Sequence, residues 1–90
     1  MDRLDAMEIL VAAVEAGSLS AASRRLEVPL ATVSRKISDL EAHLKTRLLT
    51  RSRTRLTPTE AGAAYLASAR RILEQVGEAE RAAAGEFSTP

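Results

Sequence analysis

Two helix breakers, Gly17 and Pro29, divide the first half of the chain and constrain its fold most strongly. Glycine readily takes the left-handed conformation in which many helices end. Proline can open a helix but cannot continue one, because it lacks the backbone N–H and its ring clashes with the preceding turn. Apolar residues recur at helical spacing on both sides of these breaks. The pattern predicts three helices, within residues 3–16, about 18–26 and about 30–44.

Each of these helices has a predicted start and a predicted apolar side. Asp2 is placed to cap the first helix, and either Ser18 or Ser20 can cap the second. The apolar sides consist of Leu4, Met7, Leu10, Val11 and Val14 on the first helix, Ala22, Ser23 and Leu26 on the second, and Val33, Ile37, Leu40 and Leu44 on the third. The opposite face of the third helix is small and polar, with Arg35 at its centre. Two short helices joined by a three-residue break, the second with such a face, predict a helix-turn-helix.

The core of this domain has to be built from aliphatic side chains. The chain has 90 residues, enough for one modest core, and contains one Tyr, one Phe and no Trp. It has no cysteine, which excludes disulfides and thiolate metal sites. The longest apolar run, Ile9–Val14, is too short to span a bilayer, and the acidic N-terminus is unlike a signal peptide. We therefore expect a cytoplasmic protein with no membrane segment.

Positive charge is concentrated in the middle of the chain. The net charge of +1 carries no information about a partner. Residues 24–55 hold nine bases against three acids, whereas residues 1–23 and 56–90 each hold more acids than bases. Such a distribution is typical of a surface that binds a polyanion, although an ordinary solvated basic face gives the same count.

Basic and hydroxyl residues alternate strictly from Arg51 to Arg55, between the apolar pair Leu48-Leu49 and Leu56. A period of two predicts two short strands around a tight turn. A β-hairpin that carries arginines and follows a helix-turn-helix is a wing. The alternative is an exposed basic loop without strands.

A long helix is predicted over residues 59–84, opened by a capping box of Thr57 with Glu60 or by a simpler cap at Thr59. At ~1.5 Å per residue it would be about 39 Å long, which is more than the small head can cover. Its apolar stripe therefore needs a partner, and a second copy of the chain is favoured; only its first half can fold back on its own head. The residues predicted for this homodimer interface are Tyr65, Ala69, Ile72, Leu73, Val76 and Ala79.

The order and spacing of five short motifs resemble the N-terminal domain of LysR-type transcriptional regulators. These motifs are Gly17–Leu26, Thr32–Ile37, Leu40-Glu41, Arg47–Leu49 and Thr59–Gly62. The resemblance covers the whole chain and implies a mainly α, winged helix-turn-helix fold. It divides the chain into a DNA-binding head (1–58), a linker and dimerisation helix (59–84) and a hinge toward an effector-binding domain outside this chain (85–90).

The resemblance also implies what the domain binds. Family members bind double-stranded DNA as homodimers on interrupted palindromic promoter sites, with the third helix in the major groove and the wing in the minor groove. Carried over by position, the base-reading candidates are Leu30, Ala31, Thr32, Ser34 and Arg35. For Arg35 the alternative is a contact to a phosphate. The contacts to the DNA backbone and from the wing are Ser18, Lys36, Arg51, Arg53 and Arg55. No cofactor is implied, and a small-molecule effector would bind only the domain outside this chain.

One departure from the family pattern affects base preference. The usual Ser-Gln-Pro opening of the recognition helix is replaced by Pro29-Leu30-Ala31, so an amide that could pair with adenine is absent. Leu30 offers only apolar contact, for example to a thymine methyl group.

The sequence does not favour catalysis or a metal site. His43 is the only histidine, no serine has a histidine placed beside it by sequence, and no phosphate-binding glycine motif is present. Two alternatives to a regulator fragment are a helical protein-interaction module, which pairs through its long helix, and a free-standing small repressor. The first leaves the arginine alternation at Arg51–Arg55 unexplained.

Overall fold

The computed structural model describes residues 1–52 and 55–85. The described residues form four helices and two strands, namely α1 Arg3–Ala16, α2 Leu19–Leu26, α3 Leu30–Leu44, β1 Leu49–Arg51, β2 Leu56–Pro58 and α4 Glu60–Ala83. The predicted mainly α, winged helix-turn-helix fold is confirmed. Within the described ranges no single helix is long and apolar enough to cross a membrane, and α1 with α2 meets that test only as a pair bent by 119°.

The first two helices begin and end where the local chemistry predicts. The Asp2 carboxylate accepts a hydrogen bond from the Asp5 N–H (3.1 Å), and α1 ends at Gly17 with φ of 83°. Of the two candidate serines, Ser18 is the cap of α2, since its Oγ accepts from the Ala21 N–H at 3.0 Å. A side-chain acceptor at these positions satisfies N–H groups that the first turn leaves without a partner.

The turn between α2 and α3 is built by Glu27, Val28 and Pro29. Glu27 takes the left-handed conformation with φ of 56°, which is uncommon for a residue other than glycine. The hydroxyl of Ser23 donates to the Val28 carbonyl, so a side chain of α2 ties down the turn that leads into α3. Pro29 is the N-cap of α3, and its carbonyl accepts hydrogen bonds from the N–H groups of Thr32 and Val33.

The core lies where α1 packs against the other three helices. Its buried members are Ala6, Ile9, Leu10, Ala12, Ala13, Ala22, Val33, Ile37, Leu40, Leu48, Leu49 and Leu66. Two members of the predicted apolar stripes, Leu4 and Leu44, are exposed. Since α1 has neighbours on several sides, its buried surface extends to Ala6 and Ala13, which a single stripe does not include.

The wing is a two-stranded antiparallel hairpin, so the prediction of two strands is confirmed. Leu49 pairs with Pro58, and Arg51 pairs with Leu56 at the end toward the turn. The following helix, α4, starts at a cap formed by Thr59, whose Oγ1 accepts from the Gly62 N–H at 2.9 Å. The simpler of the two predicted caps is therefore the one present.

Candidate nucleic-acid interface

The N-terminal half of α3 presents the polar face that the sequence predicts. Leu30, 47% exposed, lies at the start of the helix, and Ala31 and Arg35 are also exposed. Thr32 and Ser34 are half-buried. Among the described residues, no carboxylate lies within ion-pair distance of the Arg35 guanidinium. This face thus offers an arginine with no acidic partner in that part of the chain, one apolar contact and two hydroxyl groups.

Lys36 has a more constrained environment than the sequence suggests. Its ammonium group is ion-paired with the Asp5 carboxylate on α1, and each side chain is only about one-third exposed (35% and 34%). The pair joins α3 to α1. Sequence reasoning missed it because the two residues are 31 positions apart and neither spacing nor periodicity relates them.

A second basic edge forms where the start of α2 meets the wing. Ser18, Arg51 and Arg55 line one shallow groove, together with Gly17, Leu19, Ser52 and Leu56. The Ser18 oxygen accepts from α2, but its hydroxyl hydrogen remains available to an acceptor outside the protein. Arg53, predicted as a wing contact, lies outside the described residues.

The base of the wing is held by residues that the sequence marks only as parts of motifs. One oxygen of the Glu41 carboxylate, on α3, accepts hydrogen bonds from the N–H groups of Leu48 (2.8 Å) and Leu49 (3.2 Å). On the other side, Thr59 donates its hydroxyl to the Arg47 carbonyl (2.7 Å) and its N–H to the Leu48 carbonyl (2.9 Å). The segment before β1 is thus bonded to both α3 and α4.

A groove of about 640 Å³ lies between the start of α1 and the exposed side of α3. Its lining residues are Met1, Asp2, Ala6, Arg35, Lys36, Asp39, Ala42 and His43. His43 is exposed, and within the described ranges no group of three or more His, Asp or Glu side chains is placed to hold a metal ion.

The stripe along α4 divides into two parts. Tyr65 packs against the head, where burial raises the pKa of its phenol above the ordinary 10.0 while the positive charge of Arg3 lowers it. Ala69 is 1% exposed in the single chain. These two positions, predicted for the dimer interface, are therefore covered by their own protomer, Ala69 completely and Tyr65 in part.

The second part of the stripe remains open. Ile72 is 39% exposed, Leu73 and Val76 are half-buried, and Ala79 is exposed. The described part of the chain extends 48 Å along its longest axis and 26 and 25 Å along the other two. An apolar surface remains uncovered on the part of α4 beyond Ala69.

The arrangement of α2, turn, α3 and hairpin defines the chain as a winged helix-turn-helix protein. The sequence model described as bacterial regulatory helix-turn-helix protein, lysR family, matches residues 4–63. The chain belongs to this LysR family.

Relatives and solved structures agree with this family. The chain is 42% identical over 90 residues to an HTH-type transcriptional repressor of Pseudomonas aeruginosa, covering 100% of this chain and 28% of the relative. It is 40% identical over 76 residues to the HTH-type transcriptional activator AaeR of Escherichia coli, covering 84% and 25%. The chain thus spans about a quarter of the length of these curated relatives.

The similar solved structures include DNA complexes. The DNA-binding domain of CbnR, solved with DNA, superposes with a TM-score of 0.85 at 38% identity, over 97% of this chain and 100% of that domain. The corresponding domain of BenM, solved with benA site 1 DNA, gives a TM-score of 0.88 at 26% identity, again over 97% and 100%.

Proposed function

We propose that this chain binds double-stranded DNA sequence-specifically, as the DNA-binding part of a transcriptional regulator. The observation that carries the proposal is the superposition, over nearly its full length, on a family domain that was solved with DNA. The exposed face of α3 and the arginines of the wing support it, because they supply the two kinds of contact that duplex recognition needs. Contacts to base edges give sequence specificity, and contacts to phosphates fix the position of the protein on the duplex.

In this proposal the start of α3 enters the major groove. The Arg35 guanidinium, free of any carboxylate in the described ranges, can bond both acceptors of a guanine, which is worth about 1–3 kcal/mol of discrimination. Leu30 contacts a thymine methyl group, and Ala31, Thr32 and Ser34 complete the reading face. The departure at Pro29-Leu30-Ala31 removes an amide reader, so we expect a base preference different from that of relatives with Ser-Gln-Pro.

The wing is assigned to the adjacent minor groove. Arg51 and Arg55, with Arg53 predicted from the sequence, suit a narrow groove where the electrostatic potential is more negative. Ser18 lies in the same groove of the protein as Arg51 and Arg55, so a phosphate is expected to lie between them. Lys36 contributes less than the other cations while Asp5 holds it.

We further propose a homodimer on an interrupted palindrome, formed through the open part of α4. The exposed Ile72, with Leu73, Val76 and Ala79, needs a cover that the head does not provide. A symmetric dimer places the same patch of both copies in contact and matches a palindromic site. The head of residues 1–58, the helix of 59–84 and the hinge of 85–90 are kept as separate parts of this proposal.

The relatives are named as transcriptional regulators, and we propose that this chain has no catalytic activity and acts in the cytoplasm, where bacterial DNA lies. A small-molecule effector would bind a part of the regulator outside this chain. The proposed DNA contacts need no cofactor.

Selection of bound duplexes from a random pool, followed by sequencing, tests the proposal. We expect one enriched half-site motif, repeated with inverted symmetry at a fixed spacing. Fluorescence anisotropy with the selected duplex should show binding that weakens with salt. For the dimer, the slope of log affinity against log salt concentration should be roughly −6 to −10, at about −0.9 for each phosphate neutralised. Binding to no duplex at low salt would contradict the proposal and favour a helical protein-interaction module.

A further inference from the structure

Residues 47–49 form a short segment, here called the wing base, that connects α3 to the hairpin. Leu48 and Leu49 are 1% and 3% exposed as whole residues, so their backbone groups have little access to water. A buried N–H without a partner costs about 1–3 kcal/mol, which makes the identity of each partner important. Within the wing base, the partners come from only two residues, Glu41 and Thr59.

Glu41 supplies the bonds on the side of the recognition helix. Both the Leu48 and the Leu49 N–H groups donate to the same carboxylate oxygen, Oε2, at 2.8 and 3.2 Å. Hydrogen bonds to an ionised acceptor are roughly twice as strong as neutral ones. Because Glu41 belongs to the helix that carries Arg35, these bonds relate the start of β1 directly to the reading face.

On the side opposite α3, helix α4 lies in direct contact with the backbone of the wing base. A Cβ atom at Gly62 would lie 1.9 Å from the Leu48 carbonyl oxygen, so the first turn of α4 touches this backbone. Thr59 accepts from the Gly62 N–H and donates to the Arg47 carbonyl with the same hydroxyl. The wing base therefore cannot move toward α4, and only the Glu41 carboxylate holds its N–H groups toward α3.

We propose that Glu41 is a positioning residue for DNA binding: its carboxylate fixes the wing relative to the recognition helix, so that both reach the same duplex. This inference rests on the proposed function. A side chain on α3 that holds β1 sets the distance between the major-groove and minor-groove contacts. Without those bonds the arginines of the wing are still present but badly placed.

The sign of the effect separates positioning from electrostatics. Removal of a carboxylate next to a DNA-binding surface should tighten binding if charge alone matters, because one repulsion is removed. We expect Glu41→Ala instead to weaken binding to the selected duplex about ten-fold, as a charge-assisted pair of bonds is broken. Glu41→Gln keeps an amide oxygen that can accept both bonds and should stay within about two-fold of the wild type.

A double-mutant cycle identifies the wing as the route of the effect. In a background that carries Arg51→Ala and Arg55→Ala, Glu41→Ala should cost less than about two-fold, since the arginines it orients are already absent. In the otherwise wild-type protein, Glu41→Ala should make the slope of log affinity against log salt concentration shallower. The change should be about 0.9 for each phosphate that the wing no longer neutralises. Equal weakening in the two backgrounds, or tighter binding by Glu41→Ala, would overturn the positioning role.

Hydrogen exchange on the DNA-free protein provides a readout that does not depend on DNA. Glu41→Ala should speed exchange at the Leu49 N–H and at the strand amides of the wing, while the amides of α1 keep their protection. Glu41→Asp keeps the negative charge but withdraws the carboxylate by one methylene group. It should therefore also speed exchange at these amides, although the net charge of the protein is unchanged. Unchanged exchange in both variants would contradict the inference even with DNA binding intact. Wild-type protein that binds no duplex would contradict the proposed function itself.

Discussion

Lys36 on the recognition helix is ion-paired with Asp5 on α1, so one cation next to the reading face is neutralised from within the protein. We expect Asp5→Ala to raise affinity for duplex DNA and to steepen the salt slope by up to ~0.9, because the freed ammonium group can reach a phosphate. Stability should change by less than about 1 kcal/mol, since partly exposed pairs contribute little. Anisotropy titrations at several salt concentrations, with thermal unfolding, measure both.

Glu8→Ala is the matched control for Asp5→Ala. Glu8 is an exposed acid on the same helix and forms no ion pair within the described ranges. Its removal changes the net charge equally but frees no lysine. An equal gain in affinity from both variants would show that general charge, and not release of Lys36, determines the effect.

Local chemistry made much of this fold predictable from the sequence. Asp2, Gly17 and Ser18 form hydrogen bonds with residues only three or four positions away. Their roles at the ends of α1 and α2 therefore follow from residue type and position. The exposed side of α3 also follows from the helical period, which places Arg35 opposite Ile37 and its neighbours. These features needed no knowledge of tertiary contacts.

Contacts between distant segments were beyond sequence reasoning. The Asp5–Lys36 pair and the bonds from Glu41 to the wing base depend on how helices and hairpin pack, which periodicity does not report. The α4 stripe shows the same limit. Its spacing indicates an apolar face but not which part of that face is already buried, and Ala69 proved to be buried within the single chain.

Gly62 allows α4 to approach the wing base, and a side chain there should be destabilising. Alanine at an exposed helical position is normally favoured over glycine by about 1 kcal/mol. At Gly62 the added Cβ would lie 1.9 Å from the backbone oxygen of Leu48, so overpacking should dominate and cost about 1–3 kcal/mol. Urea unfolding followed by circular dichroism measures the free energy of unfolding.

Ala64→Gly calibrates the helix propensity at an exposed position of the same helix. It should cost about 1 kcal/mol. If Gly62→Ala stabilises the protein by the amount that Ala64→Gly removes, the close approach of α4 to Leu48 is absent in solution.

Arg35 is expected to discriminate between bases rather than merely to attract DNA. Arg35→Ala and Arg35→Lys should both reduce the preference for the selected duplex over random DNA about ten-fold or more, because a lysine keeps the charge but lacks the two-pronged geometry. Arg51→Ala should weaken binding to both duplexes by similar factors. Competition titrations measure the ratio. Equal weakening on selected and random DNA for Arg35→Lys would assign Arg35 to a phosphate.

Ionisation of the Tyr65 phenol should lower the free energy of unfolding at alkaline pH. Burial raises the pKa of its phenol above 10.0, against the opposing charge of Arg3. The folded state then holds the proton more tightly than the unfolded chain, so stability is complete below the unfolded pKa and falls as the pH rises toward the folded pKa. As the pH rises through 10.0 and above, the wild type should lose more stability than Tyr65→Phe.

The chain has one tyrosine, which makes this test direct. The phenolate absorbance reports the pKa of Tyr65 without interference from other tyrosines, and every other ionisable group is common to both proteins. A midpoint at or below the ordinary tyrosine value, or parallel pH profiles for wild type and Tyr65→Phe, would contradict burial of the ring against the head.

The open part of α4 should control dimerisation without affecting the fold of the head. Ile72, 39% exposed in the single chain, lies outside the core of the head, whereas a dimer would bury it against a second copy. We expect Ile72→Asp to raise the dimer dissociation constant at least about ten-fold, because a buried charge without a partner is costly. Gln75→Asp, an exposed change on the next turn, serves as the control. Sedimentation velocity should show monomers for the first variant and dimers for the second, with equal melting of the head. Identical sedimentation of wild type and Ile72→Asp as dimers would place the interface elsewhere on the chain.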